Sequence, residues 1–192
     1  MVHMVRFISF ARFAAFWVGG AGLLAIAACQ EVTSEVLPQL RPAERPEQAA
    51  SPSESQPPSP YAELEQAVHT QINQYRAEQG LPPLELNAEM SEIARQHSQA
   101  MADGQAPFSH DGFEQRGQAI ARKIPFRTVA ENLAFNQGFA DPVTQAVEGW
   151  IDSPGHHANI KGNFDLTGIG VVKNEQGEYY LTQLFVKRLL PF

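Results

Sequence analysis

An apolar stripe at helical spacing marks the start of the folded part of the chain. Its members are separated by four, four and three residues: Leu64, Val68, Ile72 and Tyr75. This spacing predicts a helix, because positions three and four apart share one helical face. Ser59 and Pro60 are typical of a helix start, and Gly80 is typical of a helix end. We therefore expect a first helix between these signals.

Three further helices are predicted by the same reasoning. Asn87 can cap a second helix, whose apolar face would be formed by Met90, Ile93, Ala94, His97 and Met101. A short third helix is expected over residues 113–120. Asp141 can cap a fourth helix over residues 142–151.

The C-terminal part of the chain changes from helical to strand periodicity. Residues 166–172 are rich in β-branched residues and glycine, and residues 179–187 alternate in polarity. Turn-forming residues occupy positions 173–177, so the two segments predict a β-hairpin. Helices followed by strands indicate an α+β fold, with helices stacked on an antiparallel sheet.

Residues 1–28 have the pattern of a secretory signal and are expected to lie outside the fold. Arg6 and Arg12 precede an uncharged, largely apolar run that ends in Ala27 and Ala28. Cys29 follows directly, and Ile-Ala-Ala-Cys at 26–29 resembles the lipobox of bacterial lipoproteins, in which the cysteine is lipidated. A transmembrane helix is the alternative, but the run is shorter than the roughly 20 residues a span needs.

Residues 29–60 are predicted to be a disordered linker behind the lipidated cysteine. Seven prolines lie between Pro38 and Pro60, mixed with Ser, Glu and Gln. Such a composition buries too little apolar surface to offset the entropy of ordering. The linker would carry a folded domain, residues 61–192, away from a membrane surface.

Charge and cysteine content exclude several classes of protein. The 192 residues contain 14 Lys+Arg and 21 Asp+Glu, so the formal charge of −7 argues against nucleic acid as a partner. The single cysteine excludes an internal disulfide framework and a cysteine-rich zinc site.

Two histidines and one glutamate are the candidates for chemistry. His110 lies in a loop between two predicted helices, and His156 follows the break Ser-Pro-Gly at 153–155. Glu131 has apolar neighbours, which would raise its pKa unless a partner such as a histidine pairs with it. Two histidines and a carboxylate can hold zinc with an open position for water. From spacing alone, a structural polar network is the alternative.

The other histidines are assigned to packing or to the surface. His97 lies on the apolar face of the second helix, which favours a buried histidine with satisfied hydrogen bonds. His69 lies at the edge of the first apolar stripe and is expected at the surface. Ser109 precedes a histidine but lacks the G-x-S-x-G context of a nucleophile.

Five motifs in order resemble the CAP superfamily (cysteine-rich secretory proteins, antigen 5, pathogenesis-related 1), in its cysteine-poor bacterial branch. They are Phe-Ser-His-Asp-Gly at 108–112, Ala-Glu-Asn-Leu-Ala at 130–134, Trp-Ile-Asp-Ser-Pro-Gly-His-His-Ala-Asn-Ile at 150–160, Thr-Gly-Ile-Gly-Val at 167–171 and Leu-Thr-Gln-Leu-Phe at 181–185. The resemblance covers residues 61–187. It implies a three-layer α-β-α sandwich around a central antiparallel sheet, with at least one additional strand near residues 126–135.

The resemblance also implies a cleft lined by two histidines and two acids, which in some members holds a divalent metal. The first histidine corresponds to His110, the first acid to Glu131 and the second histidine to His156, with His157 as the neighbouring alternative. The second acid is replaced by Ser153, preceded by Asp152. A metal site here would therefore have three protein ligands or a bridging water.

Three functions follow from this resemblance. The first is a lipid-anchored extracytoplasmic module on a bacterial membrane that binds a lipid, peptide or envelope ligand through the cleft, with zinc as an optional cofactor. The second is a metal-dependent hydrolase, a peptidase or envelope-directed enzyme, with Glu131 as general base. The third is a structural domain in which the polar cluster only ties helices to the sheet.

Overall fold

The computed structural model describes residues 6–8 and 59–189, which belong to one compact unit. Within these residues the helices are α1 Ala62–Glu78, α2 Ala88–Ala102, α3 Phe113–Ala121, α4 Pro142–Asp152 and α5 Pro154–Ile160. The strands are β1 Arg6–Ile8, β2 Glu85–Leu86, β3 Phe126–Gln137, β4 Leu166–Lys173 and β5 Glu178–Arg188.

The strands form one sheet in the order β1-β3-β5-β4-β2. Every pairing is antiparallel except the two-residue pairing of β2 with β4, which is parallel. The predicted hairpin of β4 and β5 is confirmed, as is the strand expected near residues 126–135. The predicted α+β class, a three-layer sandwich with a central antiparallel sheet, is therefore confirmed.

Helices cover both faces of the sheet because alternate strand residues are apolar on each side. On one face, α1, α4 and α5 pack on a core centred on Trp150 and Phe185, both 0% exposed. On the other face, α2 and α3 pack on a smaller core around Leu184 and Val186. The sheet thus separates two layers of helices, and β3 contributes side chains to both.

Capping residues set the helix starts in α2 and α4. The Asn87 side chain accepts a hydrogen bond from Met90 N at 3.0 Å, and Asp141 Oδ1 accepts from Val143 N at 3.1 Å and Thr144 N at 3.0 Å. Both caps were predicted. The hydrogen bonds of Asp141 hold the pKa of its carboxyl below the ordinary value.

The predicted start of α1 is wrong by two residues. Ser59 Oγ accepts a hydrogen bond from Tyr61 N at 3.1 Å, so Ser59 closes a turn and the helix begins at Ala62. Within residues 59–189, two elements were not predicted, β2 and α5. Both are too short for a hydrophobic pattern to be recognised along them, with two and seven residues.

Side chains close the outer edge of β4 where β2 ends. Ile169 N donates to Ser91 Oγ at 3.0 Å, and Val171 N donates to Glu65 Oε1 at 3.3 Å. Burial raises the pKa of Glu65, against the effect of the neighbouring Arg95. These contacts satisfy backbone groups that an open edge would leave available to another strand.

Most of the predictions for residues 1–60 concern residues that the structure does not describe. Cys29 and linker residues 29–58 are not described, so lipidation and linker disorder stay predictions. Arg6–Ile8 forms β1, a strand that the sequence did not predict, beside Leu133–Phe135 of β3. Within the described residues, every helix falls short of the length and apolar character that crossing a bilayer requires.

Candidate functional site

Glu131 lies at the centre of a buried polar cluster on β3. The residue is 3% exposed, and both of its carboxylate oxygens accept hydrogen bonds. His110 Nδ1 is 2.8 Å from Oε1, Arg116 Nε donates to Oε2 at 2.6 Å, and Arg116 Nη2 donates to Oε1 at 2.7 Å. Burial alone would raise the pKa of Glu131, but the hydrogen bonds from His110 and Arg116 hold it below its ordinary value. The glutamate is therefore an ionised carboxylate.

Arg116 also organises the loop that carries His110. Its Nη1 donates to the carbonyl of Asp111 at 2.9 Å. Gly112, the residue before α3, has φ of 76°, a left-handed conformation that favours glycine. A β-carbon there would lie 3.2 Å from Arg116 Nη1, so this close approach also favours glycine. The turn and the guanidinium together set the position of the loop above Glu131.

His110 has a defined ring orientation. Its Nδ1 contacts Glu131 Oε1, and its side chain is 6% exposed. A histidine that hydrogen-bonds a carboxylate through one ring nitrogen has its ring orientation set by that contact. The contact with Glu131 therefore fixes the direction in which the imidazole of His110 points.

His97 supports the same loop from α2. The residue is 7% exposed, which confirms the prediction of a buried histidine, and its Nε2 lies 3.1 Å from Ser109 O. Burial lowers the pKa of His97, and the nearby Arg116 charge lowers it further. His97 therefore lies next to the candidate site, although its role in positioning the loop was not predicted.

His156 lies in α5 and is 0% exposed. Its Nδ1 is 2.8 Å from Ser153 Oγ, so the serine at the position of the missing acid contacts this histidine directly. Asp152 is exposed at the end of α4. The neighbouring His157 contacts Tyr75 of α1, with Nε2 2.6 Å from the hydroxyl, and so belongs to the packing of α5 on α1.

Two asparagines fasten α5 to the part of β3 that carries Glu131. Asn132 Nδ2 donates to the carbonyl of His156 at 3.2 Å. Asn159 Nδ2 donates to the carbonyl of Glu131 at 3.2 Å and to Asn132 Oδ1 at 2.9 Å. His110 and His156 are thereby held beside adjacent residues of one strand, although 46 residues separate them in the chain. Neither asparagine was identified as a site residue, because nothing in the local pattern indicates these long-range bonds.

Glu131 does not fit the role of metal ligand. Both of its oxygens are engaged, and the Arg116 cation beside it opposes a second cation. Within residues 6–8 and 59–189, no group of three or more His, Cys, Asp and Glu side chains could hold a metal ion. Zinc at His110 and His156 stays a prediction that would need ligands beyond these two imidazoles.

The chain matches a known family over most of its described part. The family model described as CAP, the cysteine-rich secretory protein family, matches residues 69–185. The Bacillus subtilis protein YkwD is 33% identical over 135 residues, which are 67% of this chain and 49% of YkwD. The B. subtilis membrane protein YlbC is 34% identical over 120 residues, 60% of this chain and 32% of YlbC. The chain thus spans about half or less of the length of these relatives.

Solved structures show the same fold. An extracellular protein with an SCP domain from Bacillus anthracis aligns with a TM-score of 0.55 and 26% identity, covering 70% of this chain and 45% of that one. An outer surface protein from Borrelia burgdorferi aligns with a TM-score of 0.57 and 20% identity, covering 67% and 96%. At this lower identity the similarity concerns the fold alone.

Proposed function

Since the chain belongs to the CAP, or cysteine-rich secretory protein, family, we propose that it is an extracytoplasmic binding module anchored to a bacterial membrane through lipidated Cys29. Its ligand would bind in the candidate cleft, by which we mean the region around His110, Glu131 and His156. The extracellular SCP-domain protein and the membrane protein among its relatives support this location. The sequence pattern at 26–29 supports the anchor.

The observation that carries the proposal is the pairing of Glu131 with both His110 and Arg116. A buried carboxylate with a cation and an imidazole at hydrogen-bond distance keeps the histidine ring fixed before any ligand arrives. A fixed ring loses little entropy on binding, which favours recognition of a polar group. The contact of Ser153 with His156 orients the second imidazole in the same way.

The same observation argues against Glu131 as the general base of a hydrolase. A general base must accept a proton near neutral pH, so its pKa is usually raised toward the working pH. The pKa of Glu131 is lowered, and its oxygens are occupied by Arg116 and His110. Glu131 is better suited to orient His110.

Burial favours a structural role as the second candidate. Glu131 is 3% exposed and His156 is 0% exposed in the structure, in which β1 is paired with β3. In that role the cluster would only join the loop and α5 to the sheet. The binding role and the structural role predict different results for a conservative change at His110 in a domain that stays folded. Binding is weakened in the first case and unchanged in the second.

A binding assay tests the proposal. The protein is extracted from membranes in detergent, and its retention on purified bacterial envelopes is measured. We expect His110→Gln to weaken retention on envelopes about tenfold, the loss of one hydrogen bond to a charged group, at a temperature where the variant is folded. His69→Gln is the matched control, because His69 contacts Leu84 O, outside the cluster. Equal retention of folded His110→Gln and His69→Gln would support the structural role instead.

A further inference from the structure

The outer edge of β3 binds an added strand. β1 pairs with it antiparallel, with Arg6 opposite Phe135, Phe7 opposite Ala134 and Ile8 opposite Leu133. β3 has 12 residues, and three of them lie opposite the described strand β1. The edge therefore accepts an extended chain at Leu133–Phe135.

Two side chains contact the outer edge of β3 beside this pairing. The carbonyls of Glu131 and Leu133 accept hydrogen bonds from Asn159 Nδ2 at 3.2 Å and Trp150 Nε1 at 2.9 Å. In β3 the backbone N–H and C=O groups of Glu131, Leu133 and Phe135 therefore point toward the outer edge, away from β5. Ile8 of β1 lies opposite Leu133 although Trp150 binds the Leu133 carbonyl, so this contact is compatible with an added strand at Leu133 and Phe135.

Cleavage before Cys29, which the sequence predicts, would remove β1 and free this stretch. We propose that in the processed protein the edge at Leu133–Phe135 binds an extended peptide of a partner or substrate, in the place and direction of β1. The inference rests on the proposed function and names peptide as its ligand class. An extended peptide fits because its alternating backbone donors and acceptors match those that β1 supplies.

The direction of β1 leads a bound peptide toward the candidate cleft. In the antiparallel register the chain passes Phe135 first and Leu133 second. Two residues further along β3 lies Glu131, whose carbonyl accepts a hydrogen bond from Asn159 and whose carboxylate contacts His110. The residues that follow the paired stretch of the peptide would therefore reach Glu131 and its partner His110.

An aromatic cluster beside the edge gives the peptide a side-chain preference. Phe135 packs against Phe108 and Tyr180, with ring centroids 6.1 and 5.1 Å apart, and all three are half-buried. In an antiparallel pair, residues directly opposite each other project on the same face. A peptide residue opposite Phe135 would meet this cluster, so we expect an aromatic or long apolar side chain to bind better there than an aspartate.

Hydrogen exchange on the protein isolated from membranes of cells that express the full chain tests this inference. Its intact mass shows whether residues 1–28 have been removed. The probe is a synthetic peptide with the sequence of residues 3–12. We expect this peptide to slow exchange at the Leu133 and Phe135 amides about tenfold, because added pairing protects edge groups.

Backbone N-methylation provides matched peptides. Methyl groups on the nitrogens of the residues equivalent to Arg6 and Ile8 remove donors that face β3 and should abolish protection. A methyl group on the residue equivalent to Phe7 faces away from β3 and should leave protection in place.

Three results would overturn the inference: retention of residues 1–28 in the isolated protein, absence of protection by the unmodified peptide, or equal protection by both methylated peptides. If protection fails while His110→Gln still weakens envelope retention, the peptide edge is wrong and the proposed function stands. If protection occurs and His110→Gln has no effect on retention, the edge binds peptide and the proposed function of the candidate cleft is wrong.

Discussion

Arg116 donates two hydrogen bonds to Glu131, from Nε at 2.6 Å and from Nη2 at 2.7 Å, at a site where Glu131 is 3% exposed. The two residues belong to different elements, α3 and β3. The pair therefore fixes α3 and the preceding loop on the sheet. His110 completes the contacts of the carboxylate, so the position of the candidate site depends on this pair.

Replacing the guanidinium should destabilise the domain strongly. Arg116→Met leaves a buried carboxylate without its cation, and we expect a loss of about 3–5 kcal/mol in the free energy of unfolding. Lys123→Met is the control, since Lys123 and Glu89 form an exposed pair with an expected contribution below about 1 kcal/mol. Urea unfolding measures both, and a loss in Arg116→Met no larger than in the control would contradict this role.

Acid should destabilise the domain first through His97, which faces Arg116, Glu131 and His110. Its pKa in the fold lies below the ordinary value of 6.5, so the unfolded chain binds the proton first as the pH falls. The contribution of neutral His97 to the free energy of unfolding is complete above about pH 6.5. It is lost as the pH falls below this value, by at most about 1.4 kcal/mol per pH unit. The pKa of Glu131 is lowered from 4.5, so its contribution is lost only in more acidic solution.

Thermal unfolding between pH 7.5 and 5.5 measures the effect. We expect His97→Gln, which keeps a donor for Ser109 O, to lose less stability across this range than the wild type. If the stabilities of the two proteins change identically with pH, the loss of stability in acid comes from groups other than His97.

The long amphipathic helices could be predicted from sequence because each contains several apolar repeats, and α2 and α4 also begin at a capping side chain. Asn87 and Asp141 act as expected, whereas α5 has only seven residues and begins with Pro-Gly, so it resembles a turn. The start of α1 was misplaced since Ser59 uses its hydroxyl in a turn rather than as a cap.

The candidate site could be predicted only in part. The apolar neighbours of Glu131 indicated that it needs a partner, and His110 is one. Arg116 was not identified, because its pairing depends on how α3 packs against β3 and leaves no local signature. The bonds of Asn132 and Asn159 likewise exist only once α5 has docked on the sheet.

Zinc should bind weakly, because Glu131 is engaged by Arg116 and two imidazoles supply too few ligands for a structural zinc site. Calorimetry at pH 7.5 should give a free energy well short of the roughly 10–16 kcal/mol of structural zinc sites. Equal zinc binding by wild type and His110→Ala/His156→Ala would exclude these histidines as ligands.

Membrane attachment should depend on Cys29. Cys29→Ser removes the only thiol that could be lipidated, so we expect the protein to leave the membrane fraction, because acyl chains contribute about 0.8 kcal/mol per buried methylene. Fractionation with immunodetection measures the change. Unchanged partitioning would indicate attachment by other means.

The most direct test of the binding site is side-chain nitrogen NMR of the histidines while a soluble digest of bacterial envelopes is added. Binding in the candidate cleft predicts that the imidazole signals of His110 and His156 shift together with one apparent affinity, while that of His69, which contacts Leu84 O, stays unchanged. Signals of His110 and His156 that stay constant throughout the titration, or that move no more than His69, would contradict the account.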